Sequence, residues 1–145
     1  MATAKKIPSS VPPVGYSGKP LWQKLGLKPG LRVRLVRAPD DYFSLCDFDA
    51  ADVAVIAGRS EKCDFAHIFA TVRAQLEREL PALIAVLDDK GMLWISWPKK
   101  SAKVATDIAE NTLRDIVLPL GLVDVKVCAV SEVWSGLKFL RRRVR

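Results

Sequence analysis

DFAHIFATVRAQLERELPALIAVLDDKGMLWISWP, residues 64–98, is the stretch that decides the fold. Both of its ends are apolar runs without regular polar alternation, which is typical of strands buried on both faces of a parallel sheet. Between them apolar residues recur at helical spacing, which predicts a helix capped by Thr71 and closed by a turn at 88–91. Pro81 lies inside this helix and should kink or divide it. A strand, a helix and a strand in this order form a right-handed parallel crossover.

Four more strands are predicted around this unit. The last two are joined only by residues 131–136, so they form an antiparallel hairpin, because a parallel return needs a crossover of about a dozen residues or more. We therefore predict an α/β, Rossmann-like, mostly parallel sheet of about six strands in the order 2-1-3-4-6-5, with a C-terminal antiparallel hairpin and helices on both faces. The predicted strands span residues 31–36, 52–57, 64–70, 92–97, 123–130 and 137–141.

Two further helices are predicted from start and stop signals. Pro20 and Gly26 bracket a short helix that would place Leu21, Trp22 and Leu25 on one face. The other helix starts with Thr106 as its cap and ends at Gly121.

The chain divides into one domain with two ends. Residues 1–15 are rich in proline and serine, which predicts a flexible arm; residues 16–143 form a single α/β domain, and residues 144–145 are a C-terminal end. No apolar run approaches the roughly 18 to 20 residues that cross a bilayer. We expect a cytoplasmic protein with no membrane segment. The three widely spaced cysteines favour reduced thiols over a disulfide framework or a metal site.

Most of the excess positive charge lies near the chain ends. The net charge of +7 comes from 23 basic and 16 acidic residues, and without Lys5, Lys6 and the four arginines from position 141 onward 17 basic residues face all 16 acidic ones. We interpret the arginine run as a solvated chain end, because no basic stripe accompanies it in the body of the sequence. Nucleic-acid binding through this tail is a second alternative function.

Five segments together resemble the bacterial domain of unknown function 3052 family. They are residues 16–22 (YSGKPLW), 25–30 (LGLKPG), 93–100 (LWISWPKK), 121–128 (GLVDVKVC) and 134–138 (WSGLK). The resemblance runs from about residue 16 to residue 143. It implies family membership and no activity, since the family has none to carry over.

The sequence also resembles the fold of S-adenosylmethionine-dependent methyltransferases, in which a Leu-Lys-Pro-Gly turn such as residues 27–30 often leads into the first strand. That family has a glycine-rich loop after the first strand, which lets the backbone approach the cofactor closely. Residues 37–42 of this chain contain no glycine, and residues 57–59 lack the acidic side chain expected after the second strand. We therefore predict no cofactor and expect S-adenosylmethionine to bind weakly or not at all.

The carboxyl ends of the predicted strands are the place to look for a ligand site, because open parallel sheets bind ligands there. Four cations that follow three different strands lie at this edge, and a helix is expected to start beside them, which favours a small anionic ligand. The candidate ligand-binding residues are Arg37, Asp40, Tyr42, Arg73, Trp97, Lys99 and Lys100. No catalytic residue is assigned. His67, the single histidine, lies in an apolar strand and is interpreted as a core residue.

Two functions from different classes follow. We predict a non-catalytic binding or regulatory module with an anionic-ligand rim, because the sequence shows no nucleophile with a paired base, no metal-ligand cluster and no phosphate loop. The alternative is a divergent methyltransferase-like enzyme that binds S-adenosylmethionine without the glycine loop. The ligand and the oligomeric state are left open.

Overall fold

The computed structural model describes residues 18–143 and contains a six-stranded sheet in the order β2-β1-β3-β4-β6-β5. β1 to β4 are parallel, and β6 is antiparallel to both of its neighbours. The predicted strand order and C-terminal hairpin are confirmed. The predicted arm at 1–15 and end at 144–145 lie outside the described residues. The strands are β1 (Arg32–Val36), β2 (Ala54–Val55), β3 (Cys63–Phe69), β4 (Leu87–Pro98), β5 (Leu122–Ala129) and β6 (Trp134–Arg141).

Within residues 18–143, four α-helices cover the two faces of the sheet. They are α1 (Leu21–Leu25), α2 (Tyr42–Cys46), α3 (Arg73–Ala85) and α4 (Glu110–Val117). α3 and α4 pack on one face and α1 and α2 on the other, as two separate buried clusters. Among the residues that the structure describes, no helix has the length and apolar character needed to cross a membrane.

The helix after β3 differs from the prediction at its start and at its proline. α3 continues through Pro81, which is exposed, so the helix is not divided there. Its first N–H group is not satisfied by Thr71: the Arg73 N–H donates to Asp107 Oδ1 at 2.7 Å. The Thr71 carbonyl instead accepts from Thr106 Oγ1 at 2.7 Å. The loops after β3 and β4 are therefore hydrogen-bonded to each other, and Asp107 caps α3. α4 starts later than predicted, with Ala109 as its cap.

The turn predicted at residues 88–91 lies inside β4. The register passes from Cys63 opposite Leu87 to Phe65 opposite Met92, so residues 88–91 bulge out of the β3–β4 ladder. Arg32 on β1 reaches this bulge past β3, since its guanidinium binds Asp64 at 2.8 Å and Asp88 at 3.2 Å. A β-bulge accommodates extra residues without ending a strand.

Arg141, the last residue of β6, has a structural role and is not part of a solvated tail. Arg141 donates to the carbonyls of Ile84 and Leu87 at 2.7 and 2.6 Å. These carbonyls belong to the last turn of α3 and the start of β4, where backbone acceptors lack helical partners. The interpretation of this segment as a free basic end is therefore corrected for Arg141, which fastens β6 to α3.

Candidate functional site

The candidate site lies at the carboxyl edge of β1 and β3, where the chain leaves the two strands toward opposite faces. The segment after β1 leads to α2 on one face, and the segment after β3 leads to α3 on the other. In open α/β sheets, ligands bind at such a switch point, outside the carboxyl ends of the strands.

Arg37 connects the two sides of this switch point. Its backbone lies in the left-handed region, at φ 56°, directly after β1. Its Nε donates to the carbonyl of Phe69 at 3.0 Å, and its two terminal nitrogens bind both carboxylate oxygens of Glu79 at 2.8 and 2.7 Å. The hydrogen bonds from Arg37 lower the pKa of Glu79. A guanidinium fork therefore sits at the switch point and holds a carboxylate in bidentate geometry.

An aliphatic cavity of about 460 Å³ adjoins this ion pair on the α3 face. Glu79 lines this cavity together with Val36, Ile68 and Leu83. Arg34, a further lining residue, donates to the carbonyls of Gly58 and Glu61 at 2.7 and 2.6 Å, which fixes the loop after β2 beside the cavity. The cavity is lined mainly by aliphatic side chains and opens next to a bound carboxylate.

Three of the residues predicted for a ligand rim lie together elsewhere. Trp97, Lys99 and Lys100 line a cavity of about 800 Å³ beside the start of α4. Trp97 is 8 % exposed and belongs to the cluster under α3 and α4. The Lys99 ammonium nitrogen is buried and has no hydrogen-bond partner in the described part of the chain. Anion binding by these lysines stays a prediction.

The other predicted rim residues do not line that cavity. Arg37 is paired with Glu79, and Arg73 is paired with Glu77 at 3.0 Å. Asp40 is exposed in the loop after β1. The structure thus divides the four predicted cations into two that are paired with glutamates and two beside α4.

Tyr42 is buried, and it takes part in a polar chain that the sequence did not predict. Its hydroxyl lies 2.8 Å from Nδ1 of His67, whose Nε2 lies 2.7 Å from Oγ of Ser96. His67 and Ser96 have no exposed surface, so His67 is a core residue as predicted. Burial lowers the pKa of His67 to about 3, so the imidazole is neutral at ordinary pH. The chain joins the start of α2 to β3 and β4.

No family model and no curated protein matches the sequence, so the resemblance to the domain of unknown function 3052 family is unconfirmed. Solved structures do match. A candidate type 11 methyltransferase from Sulfolobus solfataricus is 12 % identical, with a TM-score of 0.62 over 86 % of this chain and 91 % of that one. The fold is methyltransferase-like.

Two other solved structures share the fold. The precorrin-6y C5,15-methyltransferase of Geobacter metallireducens is 13 % identical, with a TM-score of 0.54 over 83 % of this chain and 85 % of that chain. Fibrillarin of Aeropyrum pernix, solved with natively bound S-adenosylmethionine, is 15 % identical, with a TM-score of 0.50 over 81 % of this chain and 72 % of that chain.

These comparisons correct the function predicted from the sequence. We expected a non-catalytic binding or regulatory module, and the structural neighbours contradict that expectation, because solved structures with this fold include methyltransferases. Sequence reasoning also missed Glu79 as a site residue. It lies 42 positions after Arg37 in the chain, and a helix carboxylate carries no local signal of such a partner.

Proposed function

We propose that this protein is a divergent S-adenosylmethionine-dependent methyltransferase-like enzyme whose cofactor site is the switch point between β1 and β3. The observation that carries the proposal is the fold with its strand order, which is similar to that of solved methyltransferases over most of both chains. In such a site the cofactor would supply an electrophilic methyl group on a sulfonium.

The residues at the switch point fit this cofactor in two respects and depart from the family in one. Arg37 presents a guanidinium fork, the group that binds a carboxylate through two parallel hydrogen bonds. The neighbouring aliphatic cavity of about 460 Å³ suits the adenosine part. The departure is the loop 37–42, which has no glycine for close backbone approach.

Arg37 takes over the anchoring role that a glycine loop would otherwise have. In the unliganded protein its partner is the carboxylate of Glu79, which has the same chemistry as the amino-acid end of the cofactor. Binding therefore requires the cofactor carboxylate to displace Glu79. A site whose competent state is only partly populated has a reduced apparent affinity. Weak binding to the native protein follows from this competition, in agreement with the expectation drawn from the missing glycines.

Calorimetric titration with S-adenosylhomocysteine tests the proposal with two opposite substitutions. Arg37→Gln removes the fork and should weaken binding by about tenfold or more, because hydrogen bonds to charged groups contribute roughly 1.5 to 3 kcal/mol. Glu79→Gln releases Arg37 and should tighten binding several-fold. The matched controls are Arg114→Gln and Glu110→Gln, an ion pair at 2.6 Å on α4 away from the switch point; both should leave the affinity unchanged.

Opposite shifts from the two switch-point variants would support the proposed site. Loss of affinity in both would show that the ion pair is structural, and the cofactor site would then have to lie elsewhere. If neither S-adenosylmethionine nor S-adenosylhomocysteine binds the native protein or Glu79→Gln at millimolar concentration, the proposed function is wrong.

A further inference from the structure

The loop that carries Arg37 is attached at both of its ends to the same strand. This loop, residues 37–42, leads from β1 into the start of α2. At its first residue, the Nε of Arg37 donates to the carbonyl of Phe69 at 3.0 Å. At its last residue, the hydroxyl of Tyr42 lies 2.8 Å from Nδ1 of His67. His67 and Phe69 lie two positions apart on β3, so their side chains share one face of the sheet.

Three buried rings connect the two points of attachment. The rings of His67 and Phe69 are stacked, with their centroids 4.4 Å apart and their planes at 18°. The ring of Tyr42 stands edge-on to both, with centroid distances of 5.4 Å to His67 and 6.0 Å to Phe69. None of the three side chains is more than 2 % exposed. Because a close-packed interior transmits displacements, the position of Phe69 depends on both Tyr42 and His67.

The carbonyl of Phe69 sets the direction in which Arg37 points. A guanidinium is planar and holds its donors in a fixed geometry, so the bond from Nε orients the two terminal nitrogens as well. These nitrogens bind Glu79 at 2.8 and 2.7 Å. The backbone of Arg37, at φ 56°, is in a conformation that costs energy for a residue with a Cβ and is kept only by its surroundings. The orientation of the fork is therefore imposed by the contacts of the loop with β3.

We propose that Tyr42 and His67 are positioning residues, which aim the Arg37 fork at the carboxylate of its ligand by fixing loop 37–42 and the Phe69 carbonyl. The inference rests on the proposed function for the identity of that ligand. A loop without glycine presents a side chain where a glycine loop presents its backbone. Such a side chain binds more tightly when its geometry is set before the ligand arrives, because less freedom is lost on binding.

Hydrogen exchange of the Arg37 Nε–H group, followed by NMR, tests the orientation of the fork without any ligand. Tyr42→Phe keeps the ring and removes the hydroxyl. The matched control, Ser96→Ala, removes the hydrogen bond at the other nitrogen of the same imidazole, on β4, which β3 separates from β1. Exchange should be about tenfold faster in Tyr42→Phe, because the bond to Phe69 opens more often, and within about twofold of the native rate in Ser96→Ala. Thermal unfolding of each variant reports whether it is folded.

Calorimetric titration with S-adenosylhomocysteine measures the consequence for binding. Tyr42→Phe should weaken binding by about three- to tenfold, the range expected for a residue that acts through a contact network. Ser96→Ala should leave the affinity unchanged. In Arg37→Gln, which lacks the fork, adding Tyr42→Phe should change the affinity little, because residues that act through one group are not additive. A loss of the same size in both backgrounds would show that Tyr42 does not act through Arg37 and would overturn the proposal.

The exchange measurement separates this inference from the proposed function. Equal exchange of the Arg37 Nε–H group in the native protein and Tyr42→Phe would overturn the positioning role, even if S-adenosylhomocysteine binds. Equal acceleration in Tyr42→Phe and Ser96→Ala would reflect a general loss of stability and would overturn it as well. If S-adenosylhomocysteine binds neither the native protein nor Glu79→Gln, the proposed function fails, while faster exchange in Tyr42→Phe alone still supports the positioning of Arg37.

Discussion

The two faces of the sheet bury different chemistry. The cluster under α3 and α4 is largely aliphatic, with fully buried residues such as Leu80 and Leu113. The cluster under α1 and α2 is rich in aromatic rings, and it encloses the polar chain of Tyr42, His67 and Ser96. The two faces therefore have different structural roles. The first face supplies stability through burial, while the second fixes the start of α2 next to the loop that carries Arg37.

The largest effect is expected on the aliphatic face. Leu80→Ala removes a fully buried side chain and should lower the free energy of unfolding by about 2 to 5 kcal/mol, because the lost transfer energy and the new cavity add. Urea unfolding measures it. Arg78→Ala, exposed on the same helix, should change stability by less than about 0.5 kcal/mol. Equal effects would mean that α3 is not anchored by this face.

Acid should destabilise the aromatic face through His67. Its pKa is about 3 in the folded protein against 6.5 in the unfolded chain, so the unfolded chain binds the proton first as pH falls. Stability is therefore lost below pH 6.5, by about 3 kcal/mol on reaching about pH 4. Urea unfolding across this range should show a flatter pH dependence in His67→Gln. Carboxyl groups whose pKa is lowered in the folded protein, such as Asp64, also destabilise the fold as pH falls. They are present in both the native protein and His67→Gln, so they do not cause the difference between the two. Parallel pH profiles of the native protein and His67→Gln would contradict the assignment of the acid sensitivity to His67.

A smaller loss is expected when one end of the polar chain is removed. Tyr42→Phe leaves Nδ1 of His67 without its partner and should lower the free energy of unfolding by about 1 to 3 kcal/mol. Ser96→Ala should act similarly at Nε2. If the chain is one unit, the double variant will lose less than the sum of the single losses, since neighbours in a network couple. Additive losses would show two independent hydrogen bonds.

The smallest effect concerns ion pairs at the rim of the aliphatic face. Arg114 binds Glu110 at 2.6 Å and Asp124 at 3.0 Å, with 30 % of its side chain exposed. Arg114→Met should lower stability by at most about 1 kcal/mol, because solvent screens exposed pairs. In thermal unfolding at low and high salt, the difference in unfolding temperature between the native and variant proteins should become smaller as salt rises. A loss as large as that of Leu80→Ala would break the division between the faces.

Local patterns predicted the elements whose burial is periodic. The apolar runs in β3 and β4 and the helical spacing in α3 were sufficient for the parallel β3–α3–β4 unit. They were insufficient at residues 88–91, where turn-forming residues are held in β4 by the ion pairs of Arg32 with Asp64 and Asp88. The five residues of α2 are too few to show a helical period, so this helix was missed.

The sequence by itself determined the fold class, the strand order and the burial of His67, because these follow from apolar patterns and from the lengths of the connections along the chain. Only the tertiary structure decided the partners of charged and polar groups. Arg37, directly after β1, binds Glu79 on α3. Lys126 on β5 lies opposite Lys138 on β6. Ion pairs and like-charge pairs depend on distances between side chains that are remote in sequence, and only packing sets those distances.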